Sequence, residues 1–244
     1  MSSQKTVIVT GASRGLGLNV VQRLVKSGVQ VCAISRRSSS ELDALLNDYP
    51  DLIRFTSFDF SNPEEITTSW LQNILPDDLP IHGLVNNAAT AYDDLVSNMQ
   101  LDSLESQFRV NVFSPMLLTK LLIRRMILHK TSGSIVHVSS ISTQTGYKGL
   151  SMYAATKGAI EAFSKNTARE WGARNIRSNC VIPGFMETEM SSNLDKETKA
   201  RIYKRSSLNQ PTSLDSVAET ILFMLSDSSH SMTGQNVIVD SGTI

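Results

Sequence analysis

The chain has 244 residues, a length that favours one α/β domain over two full domains. Its 23 lysines and arginines are balanced by 23 aspartates and glutamates, which argues against a nucleic-acid partner because such proteins carry a basic excess. The two cysteines, Cys32 and Cys180, and the four histidines show no metal-ligand spacing, so no bound metal is predicted.

Short apolar runs alternate with helical patterns along the chain. The polar start Met1–Lys5 and the brief apolar run after it are unlike a signal or membrane segment, which predicts a cytoplasmic protein without a membrane partner. Seven runs rich in Val and Ile are typical of strands: Val7–Val9, Val29–Ile34, Ile53–Phe58, Gly83–Asn86, Ile135–Ser139, Ser178–Ile182 and Asn236–Val239. The alternation predicts a doubly wound parallel sheet of the Rossmann type, in a single domain over 1–244.

Two of the intervening helices are predicted to be long. The first spans about Leu104 to Lys130, with Pro115 as the expected bend, and the second spans Met152 to Trp171. After the sixth strand, the stretch Phe185 to Pro211 is polar and mixed in charge. We expect this stretch to be an insertion or a lid over the substrate.

A glycine-rich turn follows the first strand and opens the first helix. Its sequence is Thr10-Gly11-Ala12-Ser13-Arg14-Gly15-Leu16-Gly17. Glycine at 11 allows a tight turn, glycine at 15 admits a pyrophosphate close to the backbone, and glycine at 17 allows close packing of helix and strand. Such a turn alone is often only a turn, but its position between strand and helix favours nucleotide binding. The expected cofactor contacts here are Gly11, Ser13, Arg14, Gly15, Leu16 and Gly17.

The second strand ends at Ser35-Arg36-Arg37, where an acidic residue would bind the adenosine ribose hydroxyls and repel a 2′-phosphate. Arginine binds phosphate as a bidentate donor. For Arg37 alone, a solvated turn is the better interpretation. The missing acid, together with Arg36 and with Arg14 in the glycine turn, favours NADP(H), with Ser35 as a further contact.

Tyr153 and Lys157 stand four residues apart at the start of the second long helix, so both project from one face. Free tyrosine has a pKa of about 10, and a neighbouring ammonium would lower it. By itself the pair is better explained by a half-buried aromatic beside a lysine. Ser139 and Ser140 end the fifth strand, at the sheet edge where ligand contacts cluster.

Taken in order, these motifs resemble the short-chain dehydrogenase/reductase family over nearly the whole chain. The resemblance rests on Thr10–Gly17, Asn86-Asn87-Ala88-Ala89, Asn111, Ser140, Tyr153-x-x-x-Lys157 and Pro183–Thr188. Ser140, rather than Ser139, matches the family serine because it lies 13 positions before Tyr153. Ala89 departs from the pattern, since the family usually has glycine there.

The resemblance implies a role for each matching residue. Tyr153 would be the general acid, Ser140 would bind the substrate carbonyl, and Lys157 would hold the nicotinamide ribose and lower the tyrosine pKa. Asn111 would position a water in the proton relay. The remaining cofactor contacts would be Asp59 at the adenine, Asn87 and Ala88 along the cofactor, Pro183 and Gly184 beyond strand six, and Thr188 at the carboxamide.

Within the family, the chain is most similar to the bacterial 3-oxoacyl-acyl-carrier-protein reductases. That resemblance implies reduction of a 3-oxoacyl thioester and docking of an acidic acyl carrier protein on basic residues. Arg174 matches one such position, whereas the other, near Thr131, is not basic. A coenzyme A thioester, another small ketone, a sugar or a polyol therefore stays open as the substrate.

Two further expectations come from the resemblance alone. Most members are homotetramers that assemble through the two long helices and the last strand. Some members bind NADP without turnover and act as regulators, but these often lose the catalytic tyrosine, lysine or serine. All four catalytic positions are intact here, which favours an enzyme.

Overall fold

The computed structural model describes residues 5–188 and 194–244. Within these ranges, the strands are β1 (Thr6–Thr10), β2 (Gln30–Ser35), β3 (Ile53–Ser57), β4 (Gly83–Asn86), β5 (Gly133–Val138), β6 (Ile176–Pro183) and β7 (Asn236–Val239). They form one sheet in the order β3-β2-β1-β4-β5-β6-β7, and every neighbouring pair is parallel. The predicted Rossmann-type doubly wound sheet is therefore confirmed.

Helices cover both faces of this sheet. The helices of the described ranges are α1 (Gly15–Lys26), α2 (Ser40–Asp48), α3 (Thr68–Ile74), α4 (Leu101–Phe108), α5 (Ser114–His129), α6 (Ser142–Thr145), α7 (Ser151–Trp171), α8 (Lys196–Tyr203) and α9 (Leu214–Leu225). Side chains of a strand alternate between faces, so Val7 and Val9 of β1 join one core cluster and Ile8 joins the other. Because both faces are covered, all five residues of β1 are buried.

The predicted strands all exist, but two of their ends differ in ways that matter for the site. Strand β5 ends at Val138, so Ser139 and Ser140 lie in the turn beyond it rather than in the strand. Strand β3 ends at Ser57, which puts Asp59 two residues past the strand end. Both differences arise because strand ends depend on pairing with neighbours, which the apolar runs do not record.

The first long helix is interrupted before its proline. It begins at Leu101 rather than Leu104, and a π-helical turn, Arg109–Phe113, separates α4 from α5. Pro115 lies in the first turn of α5, directly after the π-helical turn, and has no N–H group to donate to a carbonyl of that turn. The expected irregularity is therefore present, but it precedes Pro115 instead of centring on it.

The predicted lid, Phe185–Pro211, contains α8, while 189–193 lie outside the described residues. The Asp195 side chain caps α8 by accepting from the N–H of Thr198 at 2.7 Å. Tyr203, at the end of α8, donates to Glu187 and packs against Phe185 with ring centroids 6.0 Å apart. The helix is thus tied to the segment that leaves β6.

In the parts of the chain that are described, no helix is both long enough and apolar enough to span a membrane.

Candidate active site

The strand order reverses between β1 and β4, and ligands of such sheets bind beside the carboxyl ends of the strands at that point. Thr10, the last residue of β1, joins the two strand ends. Its hydroxyl oxygen accepts from the N–H groups of Asn87 and Ala88, both at 3.0 Å. The Asn87 amide donates to the carbonyls of Thr10 and Gly11 at 3.0 and 3.2 Å. The predicted cofactor residues 87 and 88 therefore lie against the glycine turn.

The glycine turn requires glycine for steric reasons at two positions. Gly11 has a φ of +66°, and a Cβ there would lie 2.8 Å from the Asn87 amide nitrogen. A Cβ on Gly17 would lie 2.1 Å from the Gly11 carbonyl oxygen. Gly17 thus packs on the turn itself rather than on the strand, a small correction to its expected role. Gly15, with a φ of +54°, leaves room for a ligand and has the Thr188 methyl group 3.8 Å from its Cβ position.

The start of α1 has the chemistry of an anion site. Arg14 is the residue before the helix, its side chain does not cap it, and the first turn contains no acidic residue. The backbone N–H groups and dipole of such a helix start favour a phosphate group. Leu16 is buried in the core, so it can contact a phosphate only through its backbone. The turn therefore fits the pyrophosphate of a dinucleotide.

The end of β2 lies against the same turn. The N–H of Gly11 donates to the Ile34 carbonyl at 2.8 Å, and the Ser39 hydroxyl donates to the Ser13 carbonyl at 2.6 Å. Arg14 and Arg36 are both exposed at this corner. These bonds connect the two segments that carry the residues predicted to bind the 2′-phosphate.

Ser35 and Asp59 have other partners at this corner. The buried Ser35 hydroxyl donates to the Arg37 carbonyl at 2.8 Å, so its hydrogen is used within the chain and not directed at a ligand. Asp59 accepts from the N–H of Ser61 at 2.9 Å. That bond and, more weakly, the Arg36 charge lower the pKa of Asp59, so its carboxylate is ionised beside the arginine.

The segment after β6 closes the other side of the cleft. The carbonyl of Pro183 accepts from the N–H of Ile141 at 2.9 Å, which attaches β6 to the turn after β5. A Cβ on Gly184 would lie 2.7 Å from the Cα of Asp240. The glycine at 184 is therefore explained by contact with the end of the sheet. Its predicted contact with the cofactor rests on the resemblance.

Tyr153, Ser140 and Lys157 are brought together by α7 and the turn after β5. The Ser140 hydroxyl interacts with the Tyr153 phenol, an interaction that favours the phenolate and lowers the pKa of Tyr153. The Lys157 Nζ lies 5.5 Å from the centre of the Tyr153 ring and donates to the Val138 carbonyl at 2.8 Å. The four-residue spacing thus puts both side chains against the carboxyl end of β5.

Asn111 lies in the π-helical turn and is joined to the same group. Its amide donates to the Thr90 carbonyl at 2.8 Å and to the Thr156 hydroxyl at 3.1 Å, and its carbonyl oxygen Oδ1 accepts from the N–H of Thr90 at 2.9 Å. Thr156 in turn donates to the Tyr153 carbonyl at 2.8 Å. Both amide hydrogens of Asn111 are therefore used inside the protein.

The backbone of Asn111 has a different environment from its side chain. In an α-helix its carbonyl would accept from residue 115, but Pro115 has no N–H group. The neighbouring N–H of Ser114 donates to Arg109, as expected for a π-helical turn. The Asn111 carbonyl consequently lacks its α-helical donor.

Burial governs the ionisation of Tyr153 and Lys157. Burial raises the pKa of Tyr153 to about 12, and the negative charge of Asp93 adds to the effect. Burial also lowers the pKa of Lys157 to about 8. In the chain alone, desolvation of the phenolate dominates the pKa of Tyr153, and the expected lowering of that pKa by Lys157 stays a prediction.

Sequence reasoning missed several residues of the site. Ser142 donates from both its N–H and its hydroxyl to the Ser140 hydroxyl oxygen, at 3.2 and 3.0 Å. Thr90 and Thr156 hold Asn111. The position of Thr156 directly before Lys157 is a weak sequence signal for a role in the site. Nothing in the sequence indicates that Thr90 pairs with Asn111.

The predicted carrier-protein docking residues lie at the amino ends of the strands, opposite the active site. Arg174 lies two residues before the start of β6, and Lys130 and Thr131 lie three and two residues before the start of β5. The N–H of Gly133 donates to the Asn175 carbonyl at 3.2 Å, so the two segments are adjacent. Six residues of β5 separate this end of the sheet from Ser140, about 20 Å. Within one chain, Arg174 therefore does not border the active site, contrary to expectation.

Comparison with known proteins agrees with this geometry. Residues 11–243 match the family model described as enoyl-(acyl carrier protein) reductase. The chain belongs to the short-chain dehydrogenase/reductase family. The 3-oxoacyl-[acyl-carrier-protein] reductase FabG of Chlamydia pneumoniae is 36% identical over 98% of this chain and 96% of its own length. An L-xylulose reductase of Caenorhabditis elegans is 31% identical with the same coverage of both chains.

A solved structure of the family shares the whole fold. The structure of a 4-hydroxyisoleucine dehydrogenase complexed with NADH superposes with a TM-score of 0.91 and 26% identity, over 98% of both chains. As a member of this family, the chain is an oxidoreductase that uses a nicotinamide cofactor.

Proposed function

We propose that this enzyme reduces a ketone to a secondary alcohol with NADPH, and that the ketone is the 3-oxo group of an acyl thioester. The observation that supports the chemistry is the contact between Ser140 and Tyr153 beside Lys157, at the same sheet edge as the glycine turn. Bound NADPH would supply the hydride. The chain supplies binding, orientation and the proton.

Each of the four residues then has a defined task. Tyr153 donates its phenolic proton to the carbonyl oxygen of the substrate, and its raised pKa keeps that proton in place at neutral pH. Ser140 donates a hydrogen bond to the same oxygen and stabilises the negative charge that develops there. Lys157 binds the ribose hydroxyls of the cofactor through its ammonium.

Asn111 holds the water of the proton relay through its backbone carbonyl. This assignment differs from a role for its side-chain amide, whose hydrogens are already bonded to Thr90 and Thr156. Pro115 supports the assignment because it keeps the helical N–H away from that carbonyl.

Replacing Pro115 by alanine tests the relay. The new N–H at 115 can pair with the Asn111 carbonyl, so we expect kcat to fall about tenfold or more while the thermal midpoint stays the same or rises. Pro63→Ala, which changes another proline at the start of a short helix, is the matched control and should keep its kcat. An undiminished kcat in Pro115→Ala would remove the backbone carbonyl from the relay.

The alkaline limb of the pH profile should belong to Lys157. Its ammonium is present below a pKa of about 8 and is lost above it, whereas Tyr153 keeps its proton to about pH 12. We expect kcat/KM for reduction to be flat below about pH 8 and to fall about tenfold per pH unit above it. Return of activity after readjustment to pH 7 controls for unfolding. A midpoint near pH 10 or higher would contradict the role of Lys157.

The acyl-thioester substrate is supported by the FabG relative and by the description of the matching family model. A second candidate is a sugar or polyol ketone, which the L-xylulose reductase relative favours. Docking of an acyl carrier protein has no support within one chain, since Arg174 lies at the amino end of β6, away from the active site. The thioester carrier can therefore be coenzyme A as well as acyl carrier protein.

The substrate is tested by comparing kcat/KM with NADPH for four compounds: acetoacetyl-coenzyme A, acetoacetyl-acyl carrier protein, L-xylulose and diacetyl. We expect one of the two thioesters to exceed L-xylulose and diacetyl by at least about a hundredfold. A preference for L-xylulose would replace the thioester by the sugar as the substrate. The Tyr153→Phe variant serves as the background control for each compound.

The lid and the oligomer remain predictions. We propose that Phe185–Pro211 orders over bound substrate and that four chains assemble through the long helices and β7. The exposed apolar side chains of Phe113 and Leu128 on the first long helix, and of Ile238 in β7, support an interface at these elements. Light scattering should then give four times the chain mass of 26.8 kDa.

A further inference from the structure

A carboxylate without an assigned role is buried one helical turn beyond Lys157. Glu161 of α7 is only 8% exposed. Its Oε1 accepts from the Ser139 hydroxyl at 2.5 Å and lies 2.8 Å from the Thr143 hydroxyl, and its Oε2 accepts from the Asn236 amide at 2.8 Å. All three donors are neutral. Burying a carboxylate is unfavourable unless it is well hydrogen-bonded, so this arrangement is a specific one.

The residues bonded to Glu161 surround Ser140. Ser139 precedes it directly, and the Thr143 hydroxyl also lies 2.9 Å from the Ser140 carbonyl oxygen. One carboxylate therefore holds the turn that carries Ser140 at Ser139 and again at Thr143, four residues later. Asn236 anchors the other carboxylate oxygen to the start of β7.

Three consecutive residues, the last of β5 and the first two beyond it, interact with three side chains spaced four apart on α7. The Val138 carbonyl accepts from Lys157, the Ser139 hydroxyl donates to Glu161, and the Ser140 hydroxyl interacts with the Tyr153 phenol. Positions four apart lie on one helix face, so a single face of α7 makes all three interactions. Glu161 binds Ser139, which lies between the residue bound by Lys157 and the residue that interacts with Tyr153.

We propose that Glu161 is a positioning residue, which holds the turn after β5 so that the Ser140 hydroxyl meets the Tyr153 hydroxyl. It acts through Ser140 and does not touch the substrate. The inference rests on the proposed role of Ser140. The i, i+4, i+8 spacing of Tyr153, Lys157 and Glu161 is the sequence signal that could have indicated it.

Two substitutions of Glu161 separate positioning from loss of the residue. In Glu161→Gln, Oε1 still accepts from Ser139. The new side-chain NH2 group can donate to Asn236 Oδ1 if the side-chain amide of Asn236 flips. This oxygen is buried and lacks a hydrogen-bond donor among the described residues. We expect kcat within about threefold of wild type. In Glu161→Ala the contacts with Ser139, Thr143 and Asn236 are all lost. We expect kcat to fall about tenfold or more with the NADPH Kd unchanged, measured by cofactor fluorescence.

A double-mutant cycle with Ser140→Ala provides the decisive readout. If Glu161 acts through Ser140, Glu161→Ala should lower kcat about tenfold in the wild-type background and less than about twofold in the Ser140→Ala background. Equal losses in both backgrounds would overturn the inference and leave Glu161 a structural residue. If Ser140→Ala itself leaves kcat unchanged, the proposed function fails instead.

Ser139→Ala keeps the test available should Glu161→Ala fail to fold. It removes one hydroxyl from the turn and leaves the carboxylate bonded to Thr143 and Asn236. We expect kcat to fall about threefold to tenfold, again only when Ser140 is present. An unchanged kcat in Ser139→Ala would contradict the proposal.

Discussion

Replacing Tyr153 by phenylalanine should abolish nearly all turnover while NADPH still binds. The substitution removes the proton donor and little volume, and general acid catalysis is worth about a hundredfold or more. We therefore expect kcat below about a hundredth of the wild-type value, measured by NADPH oxidation, with an unchanged Kd for NADPH. The interaction of the phenol with the Ser140 hydroxyl is lost as well, which adds to the effect.

The matched control for this variant is Tyr49→Phe. Tyr49 lies between α2 and the start of β3, at the amino end of that strand, whereas the catalytic residues lie at the carboxyl end of β5. The control should keep the wild-type kcat. If Tyr153→Phe retained more than about a hundredth of the wild-type kcat, another group would be the acid and the assignment would be wrong.

The second large effect concerns the choice of cofactor. Arg14 and Arg36 are exposed at the corner where the glycine turn meets the end of β2, and no acidic residue ends that strand. We expect wild-type kcat/KM for NADPH to exceed that for NADH by at least about tenfold. Arg36→Ala and Arg14→Ala should each reduce the NADPH value about tenfold, on the scale of a charge-assisted hydrogen bond, and leave the NADH value nearly unchanged.

Arg37→Ala is the control for the loss of one positive charge at this corner. Its backbone carbonyl, which accepts from Ser35, is kept. We expect less than about a threefold change with either cofactor. Ser35→Asp combined with Arg36→Ala should reverse the preference for NADPH over NADH. The new carboxylate cannot donate to the Arg37 carbonyl, so that hydrogen bond is lost. Equal kcat/KM for both cofactors in the wild-type enzyme would mean that these arginines are only a solvated turn.

The sequence predicts the sheet well because its strands are apolar on both faces. Val7–Val9 and Gly83–Asn86 can be read directly from such runs. The exact ends cannot, since Val138 rather than Ser139 ends β5 through pairing with β4 and β6. The spacing of Tyr153 and Lys157 predicts their common face because it is a local property of a helix.

What could not be predicted depends on contacts between distant parts of the chain. The bonds of Asn111 to Thr90 and Thr156 join residues 21 and 45 positions apart, and they use both hydrogens of its side-chain amide. The raised pKa of Tyr153 depends on burial in the folded cleft. Arg174 lies at the amino end of β6, away from the active site. Its match to a family position does not reveal that location.

Isotope transfer tests the proposal that a 3-oxoacyl thioester receives hydride from NADPH and a proton at the Tyr153 site. NADPH deuterated at the transferring position of C4 is incubated with acetoacetyl-coenzyme A or its acyl-carrier-protein counterpart, and the product is analysed by mass spectrometry. We expect one deuterium at C3 of the 3-hydroxyacyl product with the wild-type enzyme and none above background with Tyr153→Phe. Wild-type enzyme that binds NADPH but transfers no deuterium to either thioester would contradict the account.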